Sequence, residues 1–240
     1  MKAMIFAAGL GTRLKPLTDH MPKALVPVGG RPLLDIVVDR LTQQGFDDFV
    51  VNIHHFADQI EAWSQDKPNV RLSDERELLL ETGGAIRHAR MLLSDAKQFL
   101  IHNVDILSNA DLQELMQKNL SHDATLLVSQ RETSRYLLFN DEMRLVGWTN
   151  VKTGEVKSPY PNLDVDNCHR LAFAGIHVMS STMLPLMDCW PERFSINDFY
   201  LDRCAEQKIY GYVQPNLRLM DVGKVDTLQQ AETFIKTLKA

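Results

Sequence analysis

Short apolar runs alternate with amphipathic stretches through the first half of the chain, and the second half changes to a strand-rich pattern. Ala3-Met4-Ile5-Phe6 is too brief for a signal-peptide core and predicts a first β-strand. Behind Pro32, Leu34, Val37, Val38 and Leu41 recur at helical spacing, and Gly45 stops the pattern. Phe49-Val50-Val51-Asn52-Ile53 predicts a buried strand, Ala57 to Ser64 a helix, and residues 69 to 73 a short strand. Thr82 reads as the cap of a helix through Ala85, Ile86, Ala89 and Leu92. Phe99-Leu100-Ile101-His102-Asn103 predicts another strand, and Asp111 to Asn119 another helix. Repeated strand–helix units predict a parallel sheet with helices on both faces.

From residue 124 the predicted elements are strands, at 124 to 129, 136 to 140, 144 to 149 and 173 to 179. Gly147, Gly154, Pro159 and Pro161 punctuate them as hairpins. A last strand ends at Met220-Asp221-Val222-Gly223, and Thr227 to Leu238 closes the sequence as an amphipathic helix. The expected fold is α/β, a doubly wound, mostly parallel (Rossmann-like) mixed sheet carrying a hairpin-rich substrate region. Residues 1–240 are read as one domain, with halves 1–122 and 123–240 on the same sheet.

Between the first strand and the first helix lies a long loop, Ala7-Ala8-Gly9-Leu10-Gly11-Thr12-Arg13-Leu14, continued by Pro16-Leu17-Thr18 and Pro22-Lys23. Glycines let backbone N–H groups approach a phosphate without Cβ obstruction, and a hydroxyl such as that of Thr12 caps or bonds an oxygen. Arg13 and Lys23 add fixed positive charge. The loop therefore reads as a polyphosphate cradle. It is not a dinucleotide fingerprint, because Leu14 stands at the third glycine position and no acid ends the second strand. It is not a P-loop either, since G-x-x-x-x-G-K-[ST] is absent.

Composition narrows the partners. Net charge is −5, from 26 basic and 31 acidic residues, which argues against general nucleic-acid binding. An anionic substrate must then be held by local charge, from Arg13, Lys15 and Lys23. Cys168, Cys189 and Cys204 form no C-x-x-C pair, and a reduced cytoplasmic setting is expected. No run of roughly 18 apolar residues predicts a membrane span. Nothing in the sequence sets an oligomeric state.

In doubly wound sheets, ligands bind beyond the carboxyl ends of strands. Asp105 follows the strand 99 to 103 and is placed to hold a Mg²⁺ that bridges phosphate oxygens; Asp221 is the candidate second ligand. His54-His55, Ser134-Arg135-Tyr136, Lys157 and Asn197-Asp198 read as capping, packing or a solvated rim.

The signature G-x-G-T-R-L-x-P-L-T-x-x-x-P-K resembles the sugar-1-phosphate nucleotidyltransferase (nucleotide-sugar pyrophosphorylase) family. The resemblance implies the nucleotide-diphospho-sugar transferase fold, with a nucleotide-binding first half and a sugar-binding second half. It implies an NTP and a sugar 1-phosphate as substrates and Mg²⁺ as cofactor. The nucleotide would lie on Ala8, Gly9, Gly11, Thr12, Arg13, Lys23, Thr82, Gly83 and Asn103, the metal on Asp105 and Asp221, and the sugar beside Gly147 and Gly175. Arg13, Lys23 and Asp105 would carry catalysis. Val104, Lys224 and Ala24 depart from the family's usual Gly, Thr and Pro, yet none removes a carboxylate or the lysine. Glu81-Thr82-Gly83-Gly84, Phe173-Ala174-Gly175-Ile176 and Asp221-Val222-Gly223 resemble short uridylyltransferases acting on N-acetylmuramate 1-phosphate in cell-wall recycling. The same resemblance leaves open guanylyl or cytidylyl transfer to heptose or mannose 1-phosphate or phosphocholine, and a catalytically silent regulatory homologue. Trp148 and Phe173 stand where relatives often place polar sugar contacts.

Overall fold

The computed structural model describes residues 1–238. Strand β1 (Lys2–Phe6) lies at the centre of a ten-stranded sheet. After a loop of short 3-10 turns come the two-residue strands β2 (Pro27–Val28) and β3 (Arg31–Pro32), then helix α1 (Leu33–Gln43). Strand β4 (Asp48–Ile53), helix α2 (Ala57–Ser64) and strand β5 (Val70–Asp74) follow, then helices α3 (Glu81–His88) and α4 (Arg90–Leu93) and strand β6 (Gln98–Asn103). β6, β1, β4 and β5 are adjacent and parallel, as the alternating pattern predicts. Their two faces both face packed layers. On β1, Ala3 and Ile5 join the core under α1, while Met4 joins the opposite core with Ala85, Ile86 and Leu93. Burial on both faces is why these strands read as continuous apolar runs.

The next elements are β7 (Ile106–Ser108), α5 (Leu112–Lys118), β8 (Ala124–Ser129), β9 (Arg135–Phe139), β10 (Leu145–Asn150) and β11 (Glu155–Lys157). They are followed by β12 (His169–Ser180), α6 (Ile196–Arg203), β13 (Ile209–Val213), β14 (Leu219–Asp221) and α7 (Val225–Leu238). β12 is longer than its predicted span of 173 to 179 and joins the halves, pairing antiparallel with β6, β8 and β9. Its register against β8 shifts between Phe173 and His177, and Gly175 sits there at φ 74°. Besides the two-residue β2 and β3, three strands and one helix carried no predicted segment. β13 pairs parallel with β8, β7 pairs antiparallel with β14, β11 with β10, and α6 packs on α3. No helix among the described residues is long and apolar enough to cross a membrane.

Thr82 does not cap α3. The helix begins at Glu81, the residue before it is Leu80, and no side chain caps it. The Thr82 hydroxyl instead accepts from Ile196 N at 2.9 Å, tying α3 to α6. Asp111 does cap α5, accepting from Glu114 N at 2.9 Å.

Candidate active site

The loop after β1 is built by sterics before it is built by charge. Pro16 and Pro22 each remove an amide donor and break α-helical continuity, so the chain makes three 3-10 turns, Thr12–Leu14, Leu17–Asp19 and Lys23–Leu25. Gly11 lies at φ 64°, and a Cβ there would sit 2.7 Å from Thr18 Cγ2 and 3.0 Å from Lys23 Cβ. The Thr18 hydroxyl donates to the Gly11 carbonyl at 2.9 Å, closing the loop on itself. Gly9 differs: nothing lies within 4 Å of where its Cβ would stand, so that side is open to a ligand. Thr12 and Arg13 are exposed, and Thr12 caps nothing.

Two residues outside the signature hold the loop against the sheet. Asn52, near the end of β4, accepts from Ala7 N at 2.7 Å and Ala8 N at 3.4 Å. Its amide donates to Glu75 Oε1 at 2.9 Å, and Glu75 Oε2 accepts from Leu80 N at 3.4 Å. Both side chains are buried, and burial raises the Glu75 pKa despite its donors. Sequence reasoning missed this relay. Its one trace is a polar Asn inside the apolar run of β4. His54, set aside as packing, hydrogen-bonds the Glu75 carbonyl through Nδ1 at 2.7 Å.

Asp105 follows β6, and its carboxylate meets the Lys23 ammonium. Both side chains are mostly buried, 17% and 12% exposed, so the two charges neutralise each other out of bulk water. Asp221 arrives by a separate route. β14 pairs with β7 so that Asp221 lies opposite Ile106, and Val222 N donates to the Asp105 carbonyl at 2.8 Å. Two carboxylates far apart in sequence thereby reach one edge. Arg13 Nη2 stands 4.0 Å from Asp221 Oδ2. Gly223 leaves room for that approach, since a Cβ there would lie 2.6 Å from Asp221 Oδ1 and 2.7 Å from Arg13 Nη2.

A cleft of ≈ 270 Å³ opens at this edge. Ala8, Gly9 and Lys23 line it from the loop, Asn103 and Asp105 from the end of β6, and Glu75, Glu81 and Thr82 from the approach to α3. Glu81 holds a left-handed backbone at φ 61° and pairs with Arg193 at 2.9 Å.

Three of the expected glycines stand in packed surroundings. Gly83 donates its N–H to the Phe194 carbonyl at 2.9 Å, and a Cβ would meet the Phe194 ring at 2.3 Å. Its small size serves the α3–α6 junction, and it does not line the cleft. Gly147 is covered by the end of β11 and the segment after it, with the Lys157 carbonyl 2.9 Å and Leu163 Cδ2 3.0 Å from its would-be Cβ. Gly175 turns β12 at its irregularity, and its would-be Cβ stands 2.7 Å from Asn103 Nδ2, so it makes room for a cleft residue. Trp148 and Phe173 are half-buried, the first under the Lys157 ammonium and the second against the His177 ring.

Residues 2–140 match the nucleotidyl transferase family. The chain belongs to that family. An N-acetylmuramate alpha-1-phosphate uridylyltransferase of Caulobacter vibrioides is 47% identical over 109 residues, 43% of this chain and 45% of that protein. The chain thus spans about half the length of the curated relative it matches. A D-glycero-alpha-D-manno-heptose 1-phosphate guanylyltransferase of Aneurinibacillus thermoaerophilus is 23% identical over 240 residues, 97% of each chain. The solved structure of the inositol-1-phosphate CTP transferase from T. maritima superposes with a TM-score of 0.79 at 16% identity, covering 99% of this chain and 96% of that one. That likeness shows the nucleotidyltransferase fold alone.

Proposed function

We propose that this nucleotidyl transferase family member joins UTP to N-acetylmuramate 1-phosphate. A phosphate oxygen of the sugar phosphate attacks the α-phosphorus, the bond from that phosphorus to the β-phosphate bridge breaks, and pyrophosphate leaves. The observation that carries the reading is that Lys23 and Asp105 pair in the cleft wall while the β7–β14 ladder brings Asp221, 4.0 Å from Arg13, to the end of the chain segment behind Asp105. No protein nucleophile is needed, so catalysis is positioning and charge neutralisation. Lys23 turns from Asp105 to the α-phosphate and the incoming phosphate, and Arg13 holds the departing phosphates. Asp105 and Asp221 offer hard carboxylate oxygens, the donor type Mg²⁺ takes together with phosphate and water. Held by Asp105 and Asp221, the ion would neutralise charge on the phosphates.

Glu75 supports the base preference. Glu75 lines the cleft with each oxygen holding one protein donor, and the lone pairs left over would accept from a base edge that presents N–H. Uracil N3–H and guanine N1–H offer one; cytosine and adenine present a lone pair there. The Caulobacter relative favours uracil, and the Aneurinibacillus relative keeps GTP as the competing reading. Trp148 and Phe173 do not line the cleft, so the sugar preference rests on the likeness to the Caulobacter relative.

The test is a kcat/KM matrix of four triphosphates against muramate, glucose, mannose and heptose 1-phosphates and phosphocholine, with and without Mg²⁺. UTP with N-acetylmuramate 1-phosphate is expected to lead. If GTP with a heptose or mannose phosphate leads, the base and sugar assignments fail while the transfer reaction stands. If no pair forms pyrophosphate above a Lys23→Ala control, the enzyme reading fails and a silent homologue remains.

A further inference from the structure

A second cavity, ≈ 520 Å³, lies away from the cleft, between α1, β6, β7 and α7. Its apolar walls include Ile36, Val37, Leu112 and Ile235. Its charged groups are Arg31, Asp39, Arg40, Glu232 and Lys236, three basic against two acidic. Most of these are accounted for. Arg31 pairs with Asp39 at 2.6 Å, and Glu232 accepts from Gly29 N at 3.1 Å.

Three of the lining groups, Arg40, Lys236 and His102 at its Nε2, have no protein partner among the described residues. Arg40 makes no ion pair or hydrogen bond among the described residues, and its half-buried position lowers its pKa with no carboxylate to offset it. His102 is 4% exposed and lines the same cavity. Its Nδ1 lies 2.8 Å from the Asn103 carbonyl, which only accepts, so Nδ1 carries the proton. Burial holds the ring neutral, with the Arg40 charge acting in the same sense, and Nε2 is left as a lone pair without a partner among the described residues. A guanidinium, an ammonium and one imidazole nitrogen, none with a protein partner among the described residues, thus line a roomy space with apolar walls.

We propose that this cavity binds an aliphatic carboxylate bearing a hydroxyl near its charged end. The carboxylate sits on the Arg40 fork, the hydroxyl donates to His102 Nε2, and the carbon body packs on Ile36, Val37, Leu112 and Ile235. A single net positive charge among the lining groups matches a monoanion, and Asp39 and Glu232 disfavour a phosphate dianion. The volume is that of small-molecule sites in general. β7 forms one wall, directly after Asp105, so the site lies behind the two carboxylates and not among them. The proposal does not depend on which substrates the cleft takes.

The experiment is isothermal titration of the full chain with 3-hydroxyoctanoate, octanoate and glycerol 3-phosphate. We expect 3-hydroxyoctanoate to bind saturably, octanoate on the order of tenfold more weakly for want of the hydroxyl, and glycerol 3-phosphate not at all. Arg40→Met should weaken 3-hydroxyoctanoate at least about tenfold, and Lys23→Ala should leave it unchanged. Ile235→Trp, which fills the cavity from α7, should abolish binding and gives a second route if Arg40→Met fails to fold. Absence of saturable binding, equal affinity in the cavity variants, or loss in Lys23→Ala would each overturn the site.

Discussion

Lys23 and Asp105 form a mostly buried ion pair, whereas Arg13 and Asp221 are more than half exposed and only approach each other. The two pairs should respond differently. Lys23→Met strands the Asp105 charge, so pyrophosphate release should fall on the order of 10²–10³ and stability should drop by about 3 kcal/mol. Asp221→Asn should lose turnover with no measurable change in the urea midpoint, because an exposed pair contributes only ~0–1 kcal/mol. Unchanged turnover in Asp221→Asn would remove it from the proposed metal site. At Glu75, a Gln would turn an NH₂ toward either the Asn52 amide or Leu80 N, both donors. Glu75→Gln should therefore raise KM for the triphosphate more than it lowers kcat, and blunt discrimination against CTP. Steady-state kinetics with UTP and CTP measure both.

Among the elements, β12 decides most. It borders β6 on one side and β8 on the other, and its irregularity at Gly175 sets the position of Asn103 beside the cleft. Gly175→Ala would impose a left-handed backbone on a residue with a Cβ, costing about 1–2 kcal/mol, and would press on Asn103 Nδ2. We expect a lowered urea midpoint together with reduced activity, since Asn103 must shift within the cleft. Loss of stability at full activity would show that Asn103 has no part in the site. Gly83 belongs to another element contact: its hydrogen lets Phe194 lie on α3, and α6 is docked there by the Thr82–Ile196 bond.

At the scale of the whole molecule, acid should unfold this protein through histidine. His102 and His177 are buried on β6 and β12, and desolvation lowers their pKa values to about 4 and about 3. Both folded values lie below the ordinary 6.5, so the unfolded chain binds these protons first as pH falls. Their contribution is full above about pH 6.5 and is lost on descent toward pH 4, on the order of 3 kcal/mol for each ring. Urea midpoints measured at steps from pH 7 to pH 4 should fall, and His177→Phe should flatten the slope. An unaltered slope would mean that His177 does not take up its proton on unfolding. His177 is the better probe because neither ring nitrogen has a hydrogen-bond partner among the described residues.

The sequence by itself determined what short-range periodicity can encode. The parallel core strands, α1, α2 and the hairpin strands were all legible, because the apolar spacing of a segment reports the face it buries. So was the loop with Gly11, Lys23 and the following Asp105, because those residues lie within one signature and at one strand end. Tertiary structure alone decided which distant groups meet. Asn52 and Glu75 reach the loop across two strands, and the β7–β14 ladder carries Asp221 to Asp105. A Phe194 ring, remote in sequence, is what makes Gly83 a packing glycine. Such pairings leave no local trace, since a residue's spacing records its own element's geometry and not the identity of the partner that closes over it.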